Sequence, residues 1–169
     1  ATLATAIIDL ALAKGQKTSL LKHPMLGEML NVYQLEEEGG LLFVAENISA
    51  VAIRVEVDAS EAASGPSVGF LSTRNLLICH DVLPPRTRQN VLLLSTDMRS
   101  KRRALAVRYG GGVVEGGGGV GHIPDLAELG ELQPLHTPHP IRSSSAAAAL
   151  PDLSVSALAN SIWQRRSNA

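Results

Sequence analysis

The sequence predicts a mainly β domain, an antiparallel sandwich or open barrel of about seven short strands. Short apolar runs recur at near-regular spacing between residues 28 and 109, and turn residues separate them with almost no helical periodicity in between. Of the 169 residues 45% are hydrophobic but only 3% are aromatic, so we expect a core of Leu, Val, Ile and Ala. This length suits one domain of ordinary size.

The first element is expected to be a helix. Apolar residues recur at helical spacing through residues 5–13, and Lys14 and Gly15 supply a basic last turn and a helix stop. Residues 1–27 are therefore predicted to form a helix and linker, belonging to the end of any preceding domain. The apolar start lacks a basic leader region and begins with Ala, which favours a segment of a longer protein over a signal peptide.

The β-rich domain is predicted over residues 28–109. Ile53, Val55 and Val57 alternate with charged residues, the period of two that is typical of a strand with one wet face. A charged turn separates the first two runs, which predicts a hairpin. The predicted strands cover residues 30–35, 41–45, 53–57, 68–72, 76–79, 91–95 and 104–109.

The composition changes at Gly110. Residues 110–150 contain glycine tracts, several prolines and a Ser/Ala run, which cannot bury enough apolar surface to offset the entropy of ordering. We expect a flexible low-complexity linker there. Residues 151–169 are predicted to form a short helix capped by Asp152, followed by a tail. The candidate docking motif of this tail comprises Ile162, Trp163, Arg165 and Arg166.

Charge and cysteine content narrow the functional classes. Fifteen Lys and Arg stand against sixteen Asp and Glu, so there is no global electrostatic attraction to nucleic acid and we expect no nucleic-acid partner. The single cysteine, Cys79, cannot form an intramolecular disulfide, which favours an intracellular and cytoplasmic protein. No run approaches the roughly 20 apolar residues of a transmembrane segment.

Two motifs that resemble ligand sites lack the context that their chemistry needs. Gly116-x-Gly118-x-x-Gly121 fits the dinucleotide-binding fingerprint, but no βαβ unit surrounds it. His136-x-x-His139 lies among prolines that do not favour a tetrahedral zinc site. We therefore expect no cofactor and no metal.

The residues around Cys79 resemble an active site only in composition. Neighbouring residues on a strand point to opposite faces, so Cys79 and His80 cannot form a nucleophile and base pair, and Cys79 is expected to be a buried structural residue. Ser72, His80 and Asp81 leave a small serine hydrolase as a weak alternative, without a nucleophile elbow or oxyanion motif. The chain is expected to have no catalytic residues.

Cations cluster on two predicted loops that can lie at the same end of a sandwich. This candidate interaction surface comprises Pro84, Pro85, Arg86, Arg88, Arg99, Lys101, Arg102 and Arg103. Such a cluster suits an anion, an acidic lipid or an acidic peptide. The alternative is a solvated basic edge that discourages aggregation between strands.

Several spaced motifs in the middle of the chain form one pattern. They are Gly40-Leu41-Leu42-x-Val44-x-Glu46-Asn47-x-Ser49, Val55-x-Val57-Asp58, Ser72-Thr73-Arg74, Asp81, Pro84-Pro85, Arg88-Gln89 and Val91-Leu92-x-Leu94-Ser95. The pattern resembles the C-terminal domain of SOL (small optic lobes) type calpains over residues 28–109. Asn75 stands where that family has Gly and Thr87 where it has His, which indicates a divergent member or a paralogue.

The resemblance implies a calpain-like cysteine protease as the parent protein, with its catalytic residues in a domain N-terminal to this one. The chain is then expected to be a non-catalytic regulatory or protein-interaction domain. Its first expected partner is the catalytic domain of the parent chain, and the identity of any other protein partner stays open. The alternative is an anion- or phospholipid-binding β-sandwich module that uses the basic loops.

Overall fold

A computed structural model describes residues 3–37, 40–61, 70–74, 76–96, 107–113, 134–141 and 154–158. The described residues confirm the mainly β fold with a short N-terminal helix. Helix α1 spans Leu3–Lys14 and ends where the amide of Gly15 donates to the carbonyl of Ala11 at 2.8 Å. A Cβ at Gly15 would lie 2.4 Å from that carbonyl oxygen, so only glycine fits this helix end.

The described strands form two antiparallel sheets. The larger sheet has the spatial order β1 (Gln16–His23), β2 (Gly27–Glu37), β3 (Gly40–Asn47), β7 (Thr87–Thr96) and β5 (Phe70–Ser72), with β9 (His139–Pro140) also paired to β7. The smaller sheet has the order β6 (Ile78–Leu83), β4 (Ile53–Asp58) and β8 (Arg108–Val113).

The larger sheet is the middle layer of three. Its strand β3 is buried along its whole length because the smaller sheet covers one face and helix α1 covers the other. Phe43 belongs to the core between the two sheets, whereas its neighbour Leu42 packs in the core with Ile7 and Leu10 of the helix. This alternation explains a continuous apolar run in an antiparallel strand, where one wet face is more common.

One irregularity interrupts the pairing of β3 with β7. Phe43 lies opposite Leu92, but the next residue, Val44, lies opposite Asn90, so Val91 is an extra residue in β7. Such a bulge shifts which residues face each side of the sheet. Val91 and Leu92 both belong to the core between the sheets.

Strand β1 differs from the prediction of a linker before residue 28. It pairs with β2 along most of its length, and a hairpin joins the two strands. The strand lies at the edge of the larger sheet, and its burial pattern shows no alternation of buried and exposed positions. Because the sequence carries no period of two here, pattern reasoning did not detect the strand.

Strand β8 also differs from the prediction, because the segment predicted to be flexible from Gly110 onward begins inside it. A Cβ at Gly111 would lie 2.6 Å from Cδ2 of Leu30 in the larger sheet. The glycine therefore allows the two sheets to approach closely, which is a structural role for glycine in a strand. Later in the same predicted linker, residues 134–136 form a 3-10 turn that leads into β9.

Residues 155–158 form a single helical turn that covers the helix side of the larger sheet. Val155 and Leu158 are buried there with residues of helix α1. The hydroxyl of Ser154 accepts a hydrogen bond from the amide of Ala157 at 3.1 Å, so Ser154 caps this turn. The predicted cap Asp152 lies outside the described residues.

Candidate functional site

The motif Ser72-Thr73-Arg74 places a cation in the interior beside the bulge of β7. The Arg74 guanidinium lies 2.7 Å from Oδ1 of Asp81, with side-chain exposures of 3% and 5%. Its Nε donates to the carbonyl of Val91 at 2.9 Å. Gln89 donates to the same Asp81 oxygen at 2.9 Å. This buried network therefore joins the turn after β5, strand β6 and strand β7.

The environment of the network affects two titratable side chains. Burial raises the pKa of the Asp81 carboxyl, although the Arg74 charge and hydrogen bonds from Arg74 and Gln89 act in the opposite direction. Burial also raises the pKa of the Cys79 thiol to about 12. Cys79 is buried, which confirms its predicted structural position. A protonated thiol is a poor nucleophile.

A second network lies on the helix side of the larger sheet, where β2, β3 and β7 are neighbours. The buried Glu46 accepts from Arg88 Nε at 2.6 Å, from Asn31 Nδ2 at 3.0 Å and from the Tyr33 hydroxyl at 3.2 Å. Burial, followed by the negative charge of Glu46, raises the pKa of Tyr33 to about 12. The Arg88 guanidinium therefore forms an ion pair inside the domain with Glu46.

Asn47 holds together the connections at the end of β3. Its side-chain amide donates to the carbonyls of Val51, Leu83 and Pro84 at 2.8, 3.1 and 3.1 Å. Its side-chain oxygen accepts from the hydroxyl of Ser49 at 2.7 Å. The motif that contains Glu46, Asn47 and Ser49 thus fixes the chain where it passes between the sheets.

The predicted interaction surface is only partly described. Pro84, Pro85 and Arg86 lie exposed in the turn before β7, where Arg86 has a φ of 59°. Arg88 is paired with Glu46. The remaining cations of the prediction, Arg99, Lys101, Arg102 and Arg103, lie outside the described residues, as do the tail residues Ile162, Trp163, Arg165 and Arg166.

The two predicted basic loops are attached to the described strands at opposite ends of β7. The turn at residues 84–86 precedes β7, and residues 97–106 follow it. A strand of ten residues separates its ends by about 30 Å. After residues 97–106, strand β8 begins at Arg108, which lies opposite Asp58, the last residue of β4. The first residue of β4, Ile53, lies opposite Leu83, which is next to Pro84. Both attachments of residues 97–106 are therefore remote from Pro84.

The three residues of the weak hydrolase alternative are not brought together. The Ser72 hydroxyl accepts from the amide of Arg74 at 3.1 Å. The His80 Nδ1 lies 3.2 Å from Glu56 Oε1, while Asp81 on the opposite face of β6 is bonded to Arg74. The imidazole therefore lacks both a serine and the aspartate, and this arrangement cannot perform triad chemistry. Within the described ranges, no group of three or more His, Cys, Asp or Glu side chains is arranged to hold a metal.

An exposed apolar hairpin tip between β1 and β2 was not predicted from the sequence. Met25 is 89% exposed and Leu26 is 82% exposed. The signal was present in the sequence, since Pro24 and Gly27 enclose two apolar residues between polar neighbours, but it required a hairpin that was not predicted.

A family model described as Calpain-D-like, C-terminal domain matches residues 10–112, more than half of the chain. The chain belongs to this Calpain-D-like C-terminal domain family. No curated protein and no solved structure matches it.

The Calpain-D-like match covers more than the predicted 28–109. It includes the end of helix α1, all of β1 and most of β8. These elements are integral to the sheets, since β1 pairs with β2 and β8 pairs with β4. The described part of the chain holds no helix with the length and apolar character that crossing a bilayer requires.

Proposed function

We propose that this Calpain-D-like C-terminal domain is a non-catalytic accessory domain of a calpain-like cysteine protease, in which it holds a protein substrate or partner near the catalytic domain. The observation that carries the proposal is where the polar side chains of the family pattern lie. Arg74 and Gln89 both donate hydrogen bonds to Asp81 in the interior, and Glu46 and Arg88 form a second pair. The polar residues of the family pattern therefore stabilise the fold of the domain.

The chemistry of Cys79 supports a chain without its own catalytic centre. A catalytic thiol in a cysteine protease has a lowered pKa and access to substrate. Cys79 has the opposite properties, because it is buried and its pKa is raised to about 12. The proteolytic residues are proposed to belong to a separate, upstream domain of the parent protein. The same proposal includes a cytoplasmic setting, since one buried unpaired cysteine suits a reducing compartment.

We further propose that the parent protease is of the SOL type, because the spaced motifs resemble those of the SOL-type domain. One of the two departures from that pattern has a local explanation. The hydroxyl of Thr87 donates to the carbonyl of Pro84 at 2.7 Å, so the threonine closes the Pro84-Pro85 turn. A different residue at this position is thus compatible with the same turn.

Proteolysis assays test the proposal at two levels. The purified chain is expected to hydrolyse neither casein nor small esters, with or without calcium. In the parent protease, deletion of the domain is expected to reduce cleavage of protein substrates while cleavage of a short peptide persists, because a short peptide needs only the catalytic domain.

Hydrolysis by the purified chain that Ser72→Ala or Cys79→Ala abolishes contradicts the non-catalytic proposal. The matched control is Ser60→Ala, since Ser60 lies in an exposed turn bonded to Asp58. Equal loss of peptide and protein cleavage on deletion contradicts the role in holding substrate.

A further inference from the structure

Exposed apolar side chains gather at one end of the sandwich, which we call the loop end. It comprises the hairpin tip at residues 24–26, the β3–β4 connection at 48–52, the turn at 84–86 and Val113. Among the described residues the exposed large hydrophobics are Met25, Leu26, Val51, Ile78 and Val113. Ile78 alone of these five lies at the opposite end, beside Asp58.

Strand register places these segments together. Asn47, the last residue of β3, lies opposite Leu30 on one side and Thr87 on the other. In the smaller sheet, Ile53 lies opposite both Leu83 and Val113. The connection from β3 to β4, the turn from β6 to β7 and the end of β8 therefore meet at the same end as the hairpin tip.

The hairpin tip is held in a projecting conformation. The backbone amides of Met25 and Leu26 both donate to Nδ1 of His23 at 3.1 Å, and Gly27 has a φ of 85°. The side-chain acceptor satisfies two turn amides, and the glycine permits the left-handed backbone at low cost. Met25 and Leu26 are thus kept away from the sheet by a defined turn.

The charge around these apolar side chains is positive. Lys22, Arg54 and Arg86 are exposed near the loop end. Among the carboxylates of this region in the described residues, Glu28 pairs with Lys17 at 3.1 Å and lies opposite Lys22 on the neighbouring strand, and Glu46 pairs with Arg88 at 2.6 Å. The surface therefore presents cations around protruding apolar tips.

We propose that the loop end docks on an anionic lipid membrane, with Met25 and Leu26 entering the interfacial layer and Lys22, Arg54 and Arg86 facing the headgroups. Leu30 is level with the last residue of β3, so the tip extends past the end of β3 by about 13 Å, counted as four residues of strand. Interfacial anchors enter a bilayer by about 5–10 Å. The projection is long enough for such insertion.

Shape distinguishes a membrane from a protein partner here. The exposed apolar residues lie on separate segments, the hairpin tip, the β3–β4 connection and the end of β8, whereas a peptide or helix ligand requires a continuous groove. A fluid bilayer adapts to separate tips, and anionic headgroups complement the surrounding cations. The inference goes beyond the accessory function, because it assigns a surface that brings the parent protein to a membrane, and it stands independently of any protease.

Vesicle sedimentation with the full chain tests the proposal at physiological salt. The chain is expected to bind vesicles of phosphatidylcholine with phosphatidylserine and to bind vesicles of phosphatidylcholine alone weakly. Met25→Ser with Leu26→Ser is expected to lower the partition coefficient by about tenfold or more, because the apolar anchor is lost. Lys22→Ala is expected to lower it about fivefold, the effect of one cation near an anionic surface.

Ile78→Ser is the matched control, since it removes an exposed apolar side chain at the opposite end and is expected to leave binding unchanged. Insertion has its own readout, the emission of an environment-sensitive dye on Met25→Cys. The dye is expected to shift to the blue with phosphatidylserine vesicles, while the buried Cys79 stays unlabelled. Circular dichroism verifies that each variant is folded.

Three outcomes overturn the proposal. The first is no binding to phosphatidylserine vesicles by the folded chain. The second is binding that depends on Lys22 but is unaffected at Met25 and Leu26, which indicates headgroup attraction without insertion. The third is a dye shift on Met25→Cys that a parent catalytic domain causes and vesicles do not, which assigns the tip to a protein partner.

Discussion

The interior around Arg74 and the hairpin tip at Met25 differ in their exposure to solvent. The charged side chain of Arg74 is 3% exposed, whereas the apolar side chain of Met25 is 89% exposed. Each buried polar group around Arg74 contributes to the fold through a specific partner, because a buried charge without one is costly. The hairpin tip contributes little to the fold and is available for contact. The comparison separates residues that specify the domain from residues that suit binding.

The largest expected effect comes from breaking the interior pair. Asp81→Leu or Arg74→Met alone is expected to lower the free energy of unfolding by about 3–5 kcal/mol, because each leaves the other charge buried and unpaired. The double variant is expected to lose much less than the sum of the two. Urea denaturation of all four proteins measures this coupling, and additive losses contradict a direct pair.

Glu46→Gln is expected to have the next largest effect on stability. Glu46 accepts three hydrogen bonds in a buried position, and bonds to charged groups contribute about 1.5–3 kcal/mol. Glu28→Gln is the control, because its pair with Lys17 is exposed and such pairs contribute about 0–1 kcal/mol. Equal urea midpoints for the two variants would show that burial does not determine the difference.

The pH dependence of stability tests the network around Glu46, because the Tyr33 hydroxyl donates to Glu46. Its pKa is raised from 10.0 to about 12 in the folded state, so the folded protein retains a proton that the unfolded chain releases between these values. The stability from this shift is complete below pH 10 and is lost as pH rises toward 12. Thermal unfolding of Tyr33→Phe is expected to lack this component. Identical alkaline slopes in both proteins contradict the raised pKa.

The smallest effect on stability is expected at the hairpin tip. Met25→Ser with Leu26→Ser is expected to change the free energy of unfolding by less than about 0.5 kcal/mol, because both side chains are exposed in the native state. Leu30→Ser, on the buried part of the same strand, is the contrasting variant. Comparable urea midpoint shifts for both would remove the distinction between scaffold and contact residues.

Local patterns in the sequence were sufficient to predict helix α1, the hairpin of β2 and β3, and the alternation in β4. They were insufficient where a strand lacks alternation, as in β1, or where glycine serves close packing, as at Gly111. The family pattern was recognised from spaced residues, but the partners of Arg74 and Arg88 depend on strand register. No local rule states that Arg88 lies opposite Glu46.

The bulge at Val91 determines which residues of β7 lie opposite the residues of β3 in both networks. With it, Arg88 lies opposite Glu46 and Gln89 lies opposite Ala45, on the face from which it reaches Asp81. If β7 ran straight from Leu92, Gln89 would lie opposite Glu46 and both networks would lose their partners together. Arg74 donates a hydrogen bond to the carbonyl of the bulged residue, Val91. The buried arginine therefore stabilises one register of strand pairing relative to the registers shifted by one residue.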